Sequence, residues 1–368
     1  MMLQDIVCGS PAMKVQEMLN GWYIRRVGRL YVRPNPSKTK QKIGGALTYA
    51  KNGLYRNCWK VDVPSLYPCI MERYEIYPGP EKDPDRAFLC LLSCIKEERL
   101  RLKELGRTDP DAKMRSEALK ILINSFYGLL GSGQPHNNPD AAELVTAYGR
   151  KILVLMMETM ENMGCEIAEA DTDGIIASGA EPAAVIAAVN KALPEGISVG
   201  LEWTMPWVYI HAPKNYILYD GTKHICKGLF HKRDQPGLLN EFVFGFLDSA
   251  LKNETECISY YNGMVDRIKT GRLPAETVTV KRKRSASMVN FGGLGNVGDK
   301  ISYYVGTSPG GKEINVASGP YDVWHYVRYV DKLMAVLMKN VFKKDFATGK
   351  YPTRRMRKCA DADLQTQT

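Results

Sequence analysis

No apolar run in the 368 residues approaches the roughly 20 that a spanning helix needs, which excludes an integral membrane protein of the helical kind. The amino-terminal stretch MMLQDIVCGSPAMKVQEML lacks a basic start followed by an apolar segment, so no secretory leader or other targeting signal is expected. The nine cysteines, at 8, 58, 69, 90, 94, 165, 226, 257 and 359, contain no CxxC pair and are odd in number. Neither a zinc ribbon nor a disulfide framework is indicated, and they read as reduced thiols of a cytoplasmic or nucleoid-associated protein, several of them buried. Internal repeats are absent. Acidic charge falls short of basic charge, 40 Asp and Glu against 50 Lys and Arg, giving +10 and a slight bias towards polyanionic partners. With 45% apolar and 24% charged residues the composition is that of a folded globular chain, and wholesale disorder is excluded.

The polar stretch RPNPSKTKQKIGG reads as an extended linker ending at Gly44-Gly45. A buried strand running into a turn or short helix is expected from Tyr55 to Met71, and YPGPEKDPD breaks the chain after it. Apolar residues recur at helical spacing from Arg86 to Leu105 and again from Ala112 to Tyr127. The turn GRTDPD between them makes the two an antiparallel hairpin. A further helix spans Asp140 to Met163 and another Ala183 to Leu193. Between those two, CEIAEADTDGIIAS has the form of strand, acidic turn and strand. Alternating strands follow in VGLEWTMPWVYIHA and KNYILYDGTKHICKG. From Leu238 onward helical patterns dominate, interrupted by a basic, Gly-rich stretch at 279–299, and the tail from Lys343 to Lys358 is strongly basic. Helices and hairpin strands in mixed order indicate an α+β fold.

Two features carry chemistry. Asp62 ends one apolar strand, while Asp171 and Asp173 lie on the hairpin turn, and a carboxylate among buried strands is costly unless compensated. Three carboxylates from neighbouring strands, with only five histidines in the chain, suit hard cations such as Mg²⁺ or Mn²⁺ rather than Zn²⁺. D-T-D is equally a common turn composition, so this motif alone leaves a plain turn open. The second feature is cationic. Lys120 and Asn124 share one helix face, and Arg99 and Lys103 have the same spacing on the preceding helix. Such a hairpin can clamp a triphosphate, the alternative being solvated surface charge.

Val61-Asp62-Val63-Pro64-Ser65-Leu66-Tyr67-Pro68 resembles the DxxSLYP motif of the family B (alpha-type) DNA polymerases. KILINSFYG from Lys120 matches that family's KxxxNSxYG, and Ala170-Asp171-Thr172-Asp173 resembles its YGDTDS. Further similarity lies in Lys214-Asn215-Tyr216 (KxY), Lys227-Gly228 with Arg233-Asp234, Thr279 with Lys281-Arg282, and GDKISYYV from Gly298. The resemblance implies a right-hand polymerase fold with an antiparallel palm sheet, short two-helix fingers and a mostly helical thumb. Residues 1–50 would be lead and linker, 51–80 and 131–235 palm, 81–130 fingers, and 236–368 thumb and basic tail.

Carried over residue by residue, the resemblance makes Asp62 and Asp173 the principal ligands of two Mg²⁺ ions, with Asp171 beside them and Mn²⁺ able to substitute. Ser65, Leu66 and Tyr67 would lie under the incoming deoxynucleoside triphosphate, with Tyr67 excluding a 2′-hydroxyl. Arg99, Lys103, Lys120 and Asn124 would hold the phosphates. Lys214 and Tyr216 would face the primer–template DNA, and Lys281 and Arg282 would contact its phosphates. The implied activity is primer-dependent, template-directed DNA synthesis. Departures from the family pattern are Cys69 for Ser, Glu169-Ala170 for Tyr-Gly, Gly174 for Ser and Lys42 for Tyr. The short interval from Asp62 to Lys120 implies reduced fingers. About 60 residues before Asp62 are too few for a proofreading domain, so editing is expected only from a separate exonuclease or accessory subunit. A non-catalytic DNA-binding relative, a two-metal nuclease and one piece of a split polymerase remain alternatives.

Overall fold

The computed structural model describes residues 9–30, 43–231, 234–285, 296–308 and 313–344. Lys42, Arg233, the Arg354–Lys358 cluster, most of the expected linker and part of the stretch 279–299 lie outside the described residues. Among the described residues no helix is long and apolar enough to cross a membrane. The chain divides into two units. The first comprises residues 1–50 and 58–204, the second 51–57 and 205–368.

In the first unit, strands β1 (Thr48–Ala50), β2 (Gly53–Asp62, shared with the second), β3 (Glu166–Asp171) and β4 (Gly174–Ser178) pair antiparallel in the order β1-β3-β4-β2. β4 is buried along its whole length, and β3 is buried from Ile167 to Ala170. β4 therefore reads as an apolar run rather than an alternating strand, whereas β3 also buries Glu169. The unit's helices are α1 (Pro11–Val27), α2 (Leu66–Arg73), α3 (Ala87–Leu105), α4 (Pro110–Leu130), α5 (Pro139–Asn162) and α6 (Pro182–Ala192). Their starts are chemically marked. Asp109, Asn138 and Glu181 each accept a backbone N–H of the first turn, and proline occupies the start of α4, α5 and α6. α5 and α6 pack together, and α5 also packs on β3. Ile152, Leu153, Met156 and Met160 of α5 join Ile167 and Ile175 of the sheet in one core.

Helix α1 is an element the sequence reading does not anticipate, since residues 1–50 are expected there as lead and linker. Ser10 caps it, Gly28 ends it at φ 76°, and Val15, Leu19 and Tyr23 are fully buried. Its polar contacts are as specific as its apolar ones. Gln16 bonds both the ring and the backbone N–H of buried His136, and the Tyr23 hydroxyl donates to Asp83. Asp83 in turn accepts the first N–H groups of α3, those of Ala87 and Phe88. The helix packs on α4 and α3, so it belongs to the body of the unit.

The second unit contains β5 (Gly200–Ala212, shared with the first), β6 (Asn215–Tyr219) and β7 (His224–Cys226) as an antiparallel ladder. Helices α7 (Gly237–Ala250), α8 (Glu254–Lys269), α9 (Ala275–Val278) and α10 (Val323–Phe342) surround a core that includes Phe242, Phe246, Met264, Val327 and Met334. Helices dominate this region as expected. A three-stranded sheet interrupts them: β8 (Val280–Lys283), β9 (Lys300–Thr307) and β10 (Glu313–Val316). The basic run and GDKISYYV thus form two paired strands, with Lys281 opposite Ser302 and Arg282 opposite Ile301.

Candidate active site

Asp62 is the last residue of β2 and stands opposite Gly174, the first residue of β4. Asp173 occupies the two-residue turn between β3 and β4. Its carbonyl accepts a hydrogen bond from Val63 N at 2.9 Å, which fastens the turn to the strand that carries Asp62. The turn is tight. Thr172 adopts φ 59°, a left-handed conformation unusual for a β-branched residue, and Thr172 N donates to Leu47 O at 3.1 Å. At the end of β2 the chain bends again through Ser65, with φ 61° and ψ 53°, before α2 begins. Two strained turns thus bring the DxxSLYP and D-T-D segments against each other, a place where backbone strain commonly accompanies function.

A cleft of about 330 Å³ opens between these turns and the α3/α4 hairpin. Asp62, Ser65 and Asp173 line it from the sheet side, and Arg99, Lys103, Lys120 and Asn124 from the helices. Glu202, at the start of β5, completes the wall. Arg99, Lys103 and Lys120 hold no ion pair among the described residues. The Nε of Arg99 is buried without a hydrogen-bond partner, an arrangement that an anionic ligand would satisfy. A second cleft of about 280 Å³ shares Ser65, Asn124 and Asp173 with the first and adds Tyr67, Tyr127 and Thr172. There the Tyr67 ring lies 4.7 Å from that of Tyr127, and its hydroxyl pKa is pushed up to about 12, chiefly by burial. Leu66 also borders this second cleft, but its side chain is buried in the core, so it positions its neighbours by packing.

The electrostatics are those of carboxylates forced together. Asp173 is raised to about 6, first by burial and next by the charge of Asp62. Asp62 is raised as well, by burial, against the opposing pull of Lys60. Asp171 acts on Asp173 more weakly, does not line either cleft, and accepts a hydrogen bond from the Thr172 hydroxyl at 3.0 Å. Among the described residues no three His, Cys, Asp or Glu side chains converge as a ready-made metal cluster. Asp62 and Asp173 share the cleft, and the tight turn leaves Asp171 at the end of β3. A pair of partly buried, mutually repelling oxygen donors still fits a hard divalent cation, which would relieve both the burial cost and the repulsion.

Lys60 and Glu202 are the residues at this site that the motifs do not single out. Lys60 Nζ lies 2.6 Å from Glu202 Oε2 and 3.5 Å from Asp62 Oδ1. Its position two residues before Asp62 on one strand, hence on the same face, is a signal the sequence does contain. Glu202 has no local signal.

The remaining site residues lie in the second unit. Lys214 is exposed at φ 62°, and Tyr216 on β6 is half-buried with its carbonyl accepting from Lys227 N at 2.9 Å. Asn215 Oδ1 accepts Leu229 N at 2.7 Å, and a Cβ on Gly228 would meet Lys214 O at 2.3 Å. The KxY and Lys-Gly elements are therefore one interlocked feature. Lys281 and Arg282 are exposed on β8.

No family model matches the chain. It is 27% identical over 284 residues to a DNA polymerase of Archaeoglobus fulgidus, covering 68% of this chain and 36% of that protein. To a DNA polymerase of Pyrococcus glycovorans it is 24% identical over 341 residues, covering 78% and 44%. The family B DNA polymerase of Pyrobaculum calidifontis superposes with a TM-score of 0.67 at 20% identity, over 94% of this chain and 53% of that one. The chain spans between a third and about half the length of these proteins. In sequence the chain is similar to archaeal DNA polymerases, and in fold it is similar to a family B DNA polymerase.

Proposed function

We propose that this chain extends a DNA primer along a template, using deoxynucleoside triphosphates. The supporting observation is the cleft in which Asp62 and Asp173 face Arg99, Lys103 and Lys120, acids and cations with a space between them. In the reaction the primer 3′-oxygen forms a bond to the α-phosphorus, the bond to the bridging oxygen breaks, and pyrophosphate leaves while the hydroxyl proton passes to solvent. Arg99, Lys103 and Lys120 bind and orient the triphosphate and neutralise charge that develops on the leaving group. Asn124 and Ser65 line the same space, and Tyr67 packs beneath the sugar. Asp62 and Asp173 would hold the divalent ions, Mg²⁺ with Mn²⁺ able to substitute. When bound, these lower the pKa of the attacking hydroxyl and stabilise the entering and leaving oxygens. Lys214, Tyr216, Lys281 and Arg282 are read as contacts to the duplex backbone, which carry no sequence preference. Such a substrate places the protein with the DNA of the cytoplasm or nucleoid.

A labelled primer annealed to a longer template, incubated with Mg²⁺ and either deoxy- or ribonucleoside triphosphates, tests the reading. Extension that needs all four deoxynucleotides and is abolished in Asp173→Asn supports it; no extension by the wild type sinks it. We read editing as the work of a separate exonuclease or accessory subunit, so 3′-terminal degradation of the primer by the purified chain alone would contradict that part.

A further inference from the structure

We propose that Lys60 is the built-in counter-cation of the Asp62–Asp173 site, a positioning residue that holds Asp62 and sets how readily divalent ions bind there. The inference rests on the reading of those two acids as metal ligands. Lys60 stands between two carboxylates, 2.6 Å from Glu202 Oε2 and 3.5 Å from Asp62 Oδ1. With 21% of its side chain exposed, it is more enclosed than an ordinary surface lysine. Most exposed ion pairs contribute little. This one differs because a second position is committed to it. Gly174 faces Asp62 across the sheet, and a Cβ there would lie 2.7 Å from Lys60 Cε and 2.7 Å from Asp62 Oδ1. Glycine within a strand gives up packing and costs backbone entropy, and close approach of another group is a usual reason for it. Here those groups are the ends of the Lys60 and Asp62 side chains, for which Gly174 leaves room.

The charge arithmetic gives the consequence. Asp62, Asp173 and Glu202 bring three negative charges to this side of the cleft, and the Lys60 ammonium cancels one of them. It therefore holds Asp62 in place in the metal-free protein while repelling an arriving dication. An elementary charge roughly 6 Å from a divalent ion changes its affinity by about tenfold even at the dielectric of bulk water.

The test is a titration of the full chain with Mn²⁺ alone, following free Mn²⁺ by electron paramagnetic resonance, without nucleotide or DNA. The uncharged Lys60→Met and Lys60→Gln are expected to bind Mn²⁺ about tenfold more tightly than the wild type, by the same charge estimate, whereas Glu202→Gln binds it more weakly. Either lysine variant suffices if the other fails to fold, as judged by circular dichroism. Unchanged or weaker Mn²⁺ binding in both lysine variants, with Asp173→Asn still defective, overturns the inference and leaves the site reading standing. Wild-type Mn²⁺ binding by Asp173→Asn overturns the site reading and the inference together.

Discussion

Asp173 O accepts a hydrogen bond from Val63 N at 2.9 Å, so the backbone joins the residue after one acid to the other acid itself. The separation of the Asp62 and Asp173 side chains is therefore set by main-chain geometry as well as by rotamers. Replacing either acid by its amide leaves that bond intact. Asp62→Asn and Asp173→Asn are each expected to reduce primer extension by at least about a hundredfold, from the loss of electrostatic stabilisation of the reacting groups. Both variants are also expected to melt at higher temperature than the metal-free wild type, because a repelling, partly buried charge is gone. Differential scanning calorimetry in chelator checks the second outcome.

The raised pKa of Asp173 gives the metal-free protein a pH dependence with a definite sign. The folded value is about 6 and the ordinary value 3.8, so the folded state binds the proton more tightly. The stabilising contribution of this group is complete below about pH 4 and is lost as the pH rises to about 6. Urea midpoints measured in chelator at pH 4.5 and 7 should differ more for the wild type than for Asp173→Asn. Asp62 is shifted in the same direction and adds to the effect.

Arg99 has a buried Nε without a partner, and Ser116 already donates to its carbonyl. Truncation to methionine removes an unsatisfied donor, so stability should hold or rise. The triphosphate loses a charge-assisted contact, and the KM for deoxynucleotide should increase about tenfold or more with a smaller change in kcat. Steady-state extension kinetics separate the two parameters.

Tyr67 packs on Tyr127 and over Gly149, where a Cβ would come within 3.1 Å of its ring. Held this way, the ring presents a fixed surface to the second cleft. Tyr67→Ala should lower the preference for deoxy- over ribonucleotides by about tenfold to a hundredfold, the range a steric or hydroxyl contact supplies. Competing incorporation of the two nucleotide types on one template measures it.

Leu19 of α1 is fully buried against the α3/α4 hairpin region. Leu19→Ala should cost about 2–5 kcal/mol of stability as a cavity-forming change. Tyr23→Phe should cost about 1–3 kcal/mol by removing a hydrogen bond to the buried Asp83 carboxylate, which keeps its bonds from Ala87 N and Phe88 N. Chemical denaturation of both variants checks the values. If both unfold like the wild type, α1 is not part of the core.

Much of this was legible in the residues themselves. The helices at 87–105, 110–130, 139–162 and 182–192 fall within a few residues of their expected limits, because apolar spacing runs through them and Pro marks the start of the last three. Asp62, Asp173, Arg99, Lys103, Lys120 and Asn124, singled out by motif or helical spacing, line one cleft. Three things were not legible. Helix α1 has weak amphipathic patterning, and its anchors Gln16 and Tyr23 reach His136 and Asp83, partners 120 and 60 residues away. The β8–β9 pairing joins strands across a long Gly-rich connection, far longer than a hairpin turn. The tight turn that sets Asp173 in the cleft and Asp171 at the end of β3 has a left-handed Thr172, a conformation that no propensity favours.

Helix α1 also bears on how the site can move. It lies on both helices of the α3/α4 hairpin and is latched to the hairpin's first turn through Tyr23 and Asp83. Arg99, Lys103 and Lys120 therefore travel on a three-helix block rather than on a free two-helix arm. Any swing of those cations towards the two acids carries the amino-terminal helix with it, so a crosslink from α1 to the sheet would freeze the clamp from a distance.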